Sequence, residues 1–217
     1  MIRVLVCDDH FIVRQGLRQM LADAEGIEVA AEAANGPEAV RIVRELDGAL
    51  DVILMDIAMP HRDGLDVLRQ LKSEFRKLPV LMLSTYPDKQ YAVRSLKLGA
   101  AGYLGKGADP ETMAAAIRKV AGGGLFITPV VAEQLASAIG RRHGADAAAP
   151  LHEQLSHREY QVFQRLVAGR SVGEIAGELA LSSNTVSTYR ARILEKTGAR
   201  NDVELALYAV RAELVPL

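Results

Sequence analysis

Five side chains suited to handling phosphate each follow a short apolar run. Asp8 and Asp9 come after residues 3–7, Asp56 after 52–55, Ser84 after 80–83, and Lys106 just after 102–104. Carboxylates gathered in one place repel, and they persist together only where a cation or hydrogen bonds offset the cost. A few hard oxygen donors, with room left for water and phosphate, suit Mg2+ better than Zn2+. Acids, such a cation, a hydroxyl and an ammonium around one crevice make a phosphoryl-transfer site, and a carboxylate can itself accept the group as an aspartyl phosphate. Any one of these residues alone reads more simply as a helix cap or a solvated acid. It is their joint occurrence at corresponding positions that favours chemistry. His10 and His61 flank the acids, but neither has a second soft ligand at zinc spacing.

The surrounding pattern explains how these residues could meet. Residues 3–7, 27–33, 52–55, 80–83 and 102–104 read as strands. Between them, 11–21, 37–46, 64–73, 89–98 and 110–121 carry apolar residues at helical spacing. Five such units predict an α/β fold, a five-stranded parallel, doubly wound, flavodoxin-like sheet with helices on both faces. In that architecture the carboxyl ends of the strands border one crevice. Pro37 and Pro110 stand in the first helical turn, where proline is tolerated. Gly122-Gly123-Gly124 then breaks the pattern. A short helix is expected over 129–139, and 141–150, with four alanines, Gly144 and Pro150, reads as a linker. Helical patterns return at 156–168, 172–179, 183–196 and 202–212. The expected division is 1–121, a connecting stretch 122–152, and an all-α unit 153–217.

Composition limits the function classes. A chain of 217 residues accommodates two small domains. Mean hydropathy is +0.08, and no apolar run approaches the ~20 residues of a membrane span. Residues 1–122 carry 16 basic and 17 acidic side chains, and 153–217 carry 8 of each. Neither part is basic as a whole, so any nucleic-acid contact must use locally arranged charge. The single cysteine, Cys7, excludes an internal disulfide framework and reads as inert core. With no signal-peptide layout in the first residues, a cytoplasmic location is expected.

Val6-Cys7-Asp8-Asp9-His10, Leu54-Met55-Asp56-Ile57-Ala58-Met59-Pro60, Met82-Leu83-Ser84 and Tyr103-Leu104-Gly105-Lys106 resemble the signatures of response-regulator receiver domains, across essentially all of 1–121. The resemblance implies that Asp56 is the phosphoacceptor, with Asp8, Asp9, Asp56 and the Ala58 carbonyl around Mg2+. It also implies that Ser84 bonds the phosphoryl group, that Lys106 pairs with it, and that Tyr103 changes rotamer on activation. The sequence departs from the wider superfamily at Gly107, where proline often follows the lysine, and at Thr85, where alanine is common.

The segment 171–196 reads as two helices around a tight turn, with Ser182 capping the second. At 100° per residue, Val186 and Ile193 share a face that should lock onto Ile175 and Leu179. The other face presents Asn184, Ser187, Thr188 and Ala191, with Arg192 on its flank and Arg190 and Lys196 further round. Such a helix fits a major groove with cations against phosphates, and fits equally a solvated helix in a small bundle. Leu155-Ser156-His157-Arg158-Glu159, Ile175-Ala176-Gly177-Glu178-Leu179, Leu181-Ser182-Ser183-Asn184-Thr185-Val186 and Lys196-Thr197-Gly198-Ala199 resemble the LuxR-type helix-turn-helix over about 153–213. Together the two resemblances place the chain in the NarL/FixJ class of response regulators. They imply DNA contacts from Asn184, Thr185, Ser187, Thr188, Arg190, Ala191, Arg192 and Lys196, and a dimer through Val203, Leu207 and Val210. Ser187 and Ala191 stand where lysine or another base is common, which shifts readout toward DNA shape and Arg192. The expected function is a DNA-binding transcription regulator, not an enzyme, phosphorylated on Asp56 by a sensor histidine kinase and dimeric when phosphorylated. An aspartyl-phosphate phosphatase would want a second acid two residues past Asp56, where Ala58 stands. A vestigial receiver is disfavoured by the complete acidic set.

Overall fold

Valine, isoleucine and leucine dominate the strands, and side chains alternate between two covered faces. In a computed structural model, which describes residues 1–46, 48–59, 63–84, 89–129, 131–133, 151–179, 181–212 and 214, the chain divides into two units, Met1–Ala145 and Asp146–Leu217. The linker expected over 141–150, and most of the helix expected over 129–139, lie outside the described residues.

In the first unit, β1 (Ile2–Cys7), β2 (Ile27–Ala33), β3 (Val52–Asp56), β4 (Val80–Ser84) and β5 (Gly102–Gly105) form one parallel sheet in the order β2-β1-β3-β4-β5. The helices are α1 (Phe11–Ala22), α2 (Gly36–Glu45), α3 (Gly64–Glu74), α4 (Lys89–Lys97) and α5 (Pro110–Ala121). Val4, Val6, Leu54, Leu81 and Leu83 form one core layer with Leu17 and Leu21 of α1 and Met113, Ile117 and Val120 of α5. Leu5, Ile53, Met55 and Met82, the alternate residues, are equally buried on the other face. The doubly wound sheet expected from the sequence is the one found, with element ends moved by about one residue.

Register positions the strand ends. Cys7 pairs with Met55, so Asp8 and Asp56, the next residues, emerge side by side. Asp56 lies beside Leu83, and Ser84 beside Gly105, which brings Lys106 to the same end. One pairing has no counterpart in the sequence reading. After α5 the chain folds back so that Phe126 bridges Gly102, its N–H donating to Ala101 and its carbonyl accepting from Tyr103 at 2.9 and 3.3 Å.

In the second unit a 3-10 turn (Leu151–Gln154) precedes α6 (His157–Val167), α7 (Val172–Glu178), α8 (Ser183–Thr197) and α9 (Asp202–Arg211). Ser156 with Glu159, and Ser171 with Glu174, form capping boxes that satisfy the first amides of α6 and α7. Ser182 caps α8, and Gly198 ends it in the left-handed region at φ 69°. Phe163, Ile175, Val186, Ile193 and Leu205 fill the small core, with α8 packed on the other three helices. No described helix is long and apolar enough to cross a membrane.

Candidate functional sites

The strand ends deliver their carboxylates into a dry setting, for Asp8 and Asp56 are each 1% exposed. One ammonium serves both: Lys106 Nζ lies 2.6 Å from Asp8 Oδ2 and 2.9 Å from Asp56 Oδ1. The loop carrying it is fixed by the Lys106 N–H, which donates to the Ser84 carbonyl at 2.8 Å, and Ser84 itself is buried. The Arg14 guanidinium donates to the Asp8 carbonyl at 2.7 Å, holding the turn into α1. Asp9 stands half-buried at the rim, with His10 Nδ1 3.0 Å from its Oδ1 and 3.3 Å from Asp8 Oδ1.

Two carboxylates and one ammonium leave the buried cluster net negative. Burial pushes the Asp56 carboxyl above the usual range and Asp8 adds to this, while Lys106 and the Ala58 N–H pull the other way without cancelling it. Burial also opposes charge on Lys106, but Asp56 and Asp8 more than offset that and hold the ammonium above the ordinary lysine value. Both Asp56 oxygens, Asp8 Oδ2 and Asp9 Oδ1 lack a well-aligned hydrogen bond, and Lys106 is the cation that meets two of these four atoms. Oxygens buried in this state require a compensating cation. Donor atoms of Asp8, Asp9, His10 and Asp56 all lie within 4.8 Å of one another, a set that fits a divalent ion.

The structure thus gathers Asp8, Asp9, Asp56, Ser84 and Lys106 at one end of the sheet. Ala58 is half-buried two residues beyond Asp56, and Tyr103 is buried on β5. The Lys106–Gly107 peptide is trans. His61 and Thr85 lie outside the described residues. Cys7 is buried with its Sγ 3.5 Å from Met59 Sδ, and burial pushes its thiol far up, so it is unreactive packing. Gly64 was not foreseen: a Cβ there would collide with the Asp56 carbonyl oxygen, so glycine lets α3 start against the acceptor strand. Its only sequence signal is the Asp63-Gly64 pair before an apolar helix.

In the second unit, α8 exposes Asn184, Ser187, Thr188, Ala191 and Arg192, while Val186 and Ile193 are buried. Thr185 is turned into the cap, its hydroxyl 2.8 Å from Ser182 Oγ. Two cations expected to face DNA are engaged internally. Arg190 Nε donates to Asp202 at 2.8 Å, tying α8 to the start of α9. Lys196 Nζ lies 2.6 Å from Glu159 Oε2, a carboxylate only 3% exposed and already part of the α6 cap. Lys196 and Ser156 together outweigh the burial of Glu159 and hold its carboxyl below the usual range. Arg192 has no such partner among the described residues. On α9, Val203, Leu207 and Val210 form an exposed apolar stripe, with Val203 71% exposed.

A parallel sheet with an acidic crevice, carried on one chain with a helix-turn-helix unit, is the domain composition of a DNA-binding response regulator. Residues 4–118 match the response regulator receiver domain, and 153–209 match the bacterial regulatory proteins of the luxR family. The response regulator GacA of Pseudomonas aeruginosa is 40% identical over 215 residues, 99% of this chain and 98% of that protein. The response regulator UvrY of Escherichia coli is 37% identical over 97% of this chain and 94% of its own. Among solved structures, RcsB from Salmonella enterica serovar Typhimurium, bound to promoter rprA in the presence of phosphomimetic BeF3-, is 25% identical. It matches with a TM-score of 0.57, covering 95% of this chain and 97% of that one. The chain belongs to the response regulators, in the NarL/FixJ class, and is a transcription regulator with a LuxR-type DNA-binding domain rather than an enzyme.

Proposed function

We propose that Asp56 accepts a phosphoryl group from a sensor histidine kinase, and that this gates DNA binding by a cytoplasmic homodimer. The observation that carries the proposal is the buried Asp56 facing one shared ammonium, with oxygens left unsatisfied. An Asp56 oxygen attacks phosphorus, the bond from phosphorus to the donor imidazole breaks, and the imidazole leaves as the neutral base after taking a proton from solvent. Mg2+ held by Asp8, Asp9, Asp56 and the Ala58 carbonyl would neutralise charge on the transferred oxygens. Lys106 is released from Asp56 to pair with the phosphoryl group, and Ser84 donates its hydroxyl to it. Tyr103 follows Ser84 as the switch residue, shifting an equilibrium toward the dimerising state.

DNA reading falls to Asn184, Ser187, Thr188, Ala191 and Arg192, the exposed face of α8, with Thr185 setting its start. Arg190 and Lys196 position the helix through Asp202 and Glu159 instead of meeting phosphates. Val203, Leu207 and Val210 form the dimer contact, which places two copies on paired half-sites. The promoter-bound RcsB structure supports this use of the fold. Intact-mass measurement after incubation with acetyl phosphate and Mg2+ tests the assignment: one phosphoryl group is expected on the wild type and none on Asp56→Asn. Phosphorylation of that variant would overturn it.

A further inference from the structure

We infer that His10 is an additional ligand of the acidic crevice and biases it toward first-row transition ions over Mg2+. The inference rests on the reading of that crevice as a divalent-cation site. Two independent observations carry it.

The first is the helix start. Asn35, Asp63, Asp109, Ser156, Ser171, Ser182 and Asn201 all cap their helices with a side-chain oxygen. His10 holds the same position before α1 and makes no side-chain cap. Serine or aspartate there would satisfy a first-turn amide of α1 and stabilise the helix. An imidazole at this position therefore does not serve the helix.

The second is where the ring goes. Although 63% exposed, the side chain turns back to the carboxylates, Nδ1 lying 3.0 Å from Asp9 Oδ1 and 3.3 Å from Asp8 Oδ1. Neighbouring ligands of an octahedral ion with bonds of ~2.1 Å are ~3.0 Å apart. Nδ1 is thus already spaced as a cis neighbour of each of these two oxygens, beside the buried Asp56 Oδ2, which makes no well-aligned hydrogen bond. The His10 N–H donates to Asp8 Oδ1 at 2.8 Å, which fixes the backbone so that the ring overhangs the crevice. Oxygen ligands alone favour Mg2+ or Mn2+ little differently, whereas an added imidazole raises affinity for nitrogen-seeking ions in the order Mn2+, Co2+, Ni2+. Mg2+, which keeps its waters, gains nothing from it.

The test compares wild type, His10→Ala, His10→Asn and Asp9→Ala, full-length, by calorimetric titration with Mg2+, Mn2+ and Ni2+. Pulsed paramagnetic resonance of the Mn2+ form looks for a directly bound imidazole nitrogen. Wild type should show the nitrogen coupling, and both His10 variants should lose it. Those variants should bind Ni2+ at least ~10-fold more weakly while their Mg2+ affinity stays within about two-fold. His10→Asn restores a cap-competent residue, so a loss shared by both variants is not a folding defect. Absence of nitrogen coupling in the wild type, or equal changes for Ni2+ and Mg2+, overturns the inference. If Asp9→Ala abolishes all three ions while the His10 variants change none, only the role of His10 fails. If Asp9→Ala changes none either, the crevice is not the cation site.

Discussion

Replacing Lys196 with methionine separates a positioning role from a DNA contact. The change leaves Glu159, 3% exposed, without its cation, and retains one hydrogen bond of 2.7 Å from the Ser156 N–H. Breaking a fully buried pair costs about 3–5 kcal/mol, and breaking an exposed one about 0.2–1. The Lys196 side chain is 36% exposed, which places this pair between those limits, at about 2 kcal/mol. That corresponds to roughly thirty-fold faster opening of α6 and α8, measured as amide hydrogen exchange in the intact chain. Adding Glu159→Gln to Lys196→Met removes the stranded charge and should recover much of the loss. The pH dependence has a fixed sign. The Glu159 carboxyl is depressed, so its contribution is present above the ordinary carboxylate value and fades as pH falls through the lower folded value. Wild type and Lys196→Met should therefore converge in strong acid. In DNA titrations the salt slope of Lys196→Met should match wild type, whereas Arg192→Ala should lose about 0.9 of a unit. Unchanged exchange together with a slope reduced by about 0.9 would show that Lys196 meets phosphate and that the pairing with Glu159 is incidental.

Asp56→Asn should raise the unfolding midpoint in metal-free buffer at neutral pH. The raised Asp56 carboxyl is destabilised by ionisation, so the gain should vanish as pH falls below the usual carboxylate value, and scanning calorimetry at several pH values reads both effects. Val203→Glu should weaken binding to a two-half-site operator at least ~10-fold, while a single half-site binds it like wild type. Equal effects on both DNAs, in gel-shift titrations, would remove α9 from the dimer. Gly64→Ala should lower stability by about 1–3 kcal/mol because its methyl meets the Asp56 carbonyl, and should slow acetyl-phosphate labelling by displacing that strand end. Labelling at the wild-type rate would show that α3 can shift without moving Asp56.

The sheet and its crevice were legible because they rest on periodic signals. Alternating apolar runs gave the strands, and once a parallel sheet is granted its carboxyl ends must converge, which brings Asp8, Asp56, Ser84 and Lys106 together. Helix starts were equally plain, since Asn35, Asp109 and Ser182 act through their own next turn. What escaped depends on distant or single residues. Lys196 and Glu159 are 37 positions apart, and Arg190 and Asp202 are 12 apart, so local pattern does not show that two of the three cations flanking α8 form ion pairs within the bundle. Phe126 pairs through one residue, which has no period to detect. The collision that requires glycine at 64 involves a backbone oxygen, invisible in side-chain patterns.

That single Phe126 bridge bears on how this protein is best cut. β5 is an edge strand, and an unpaired edge invites strands from other molecules to add to it. Phe126 occupies the Ala101 carbonyl and the Tyr103 amide, and Gly102 is the residue that lets it approach, since a Cβ there would lie 2.7 Å from the Phe126 oxygen. Trimming the chain at the end of α5 to isolate the receiver would peel away this seal. A fragment stopping at Ala121 should therefore turn sticky during purification, and one extended to Thr128 should stay dispersed.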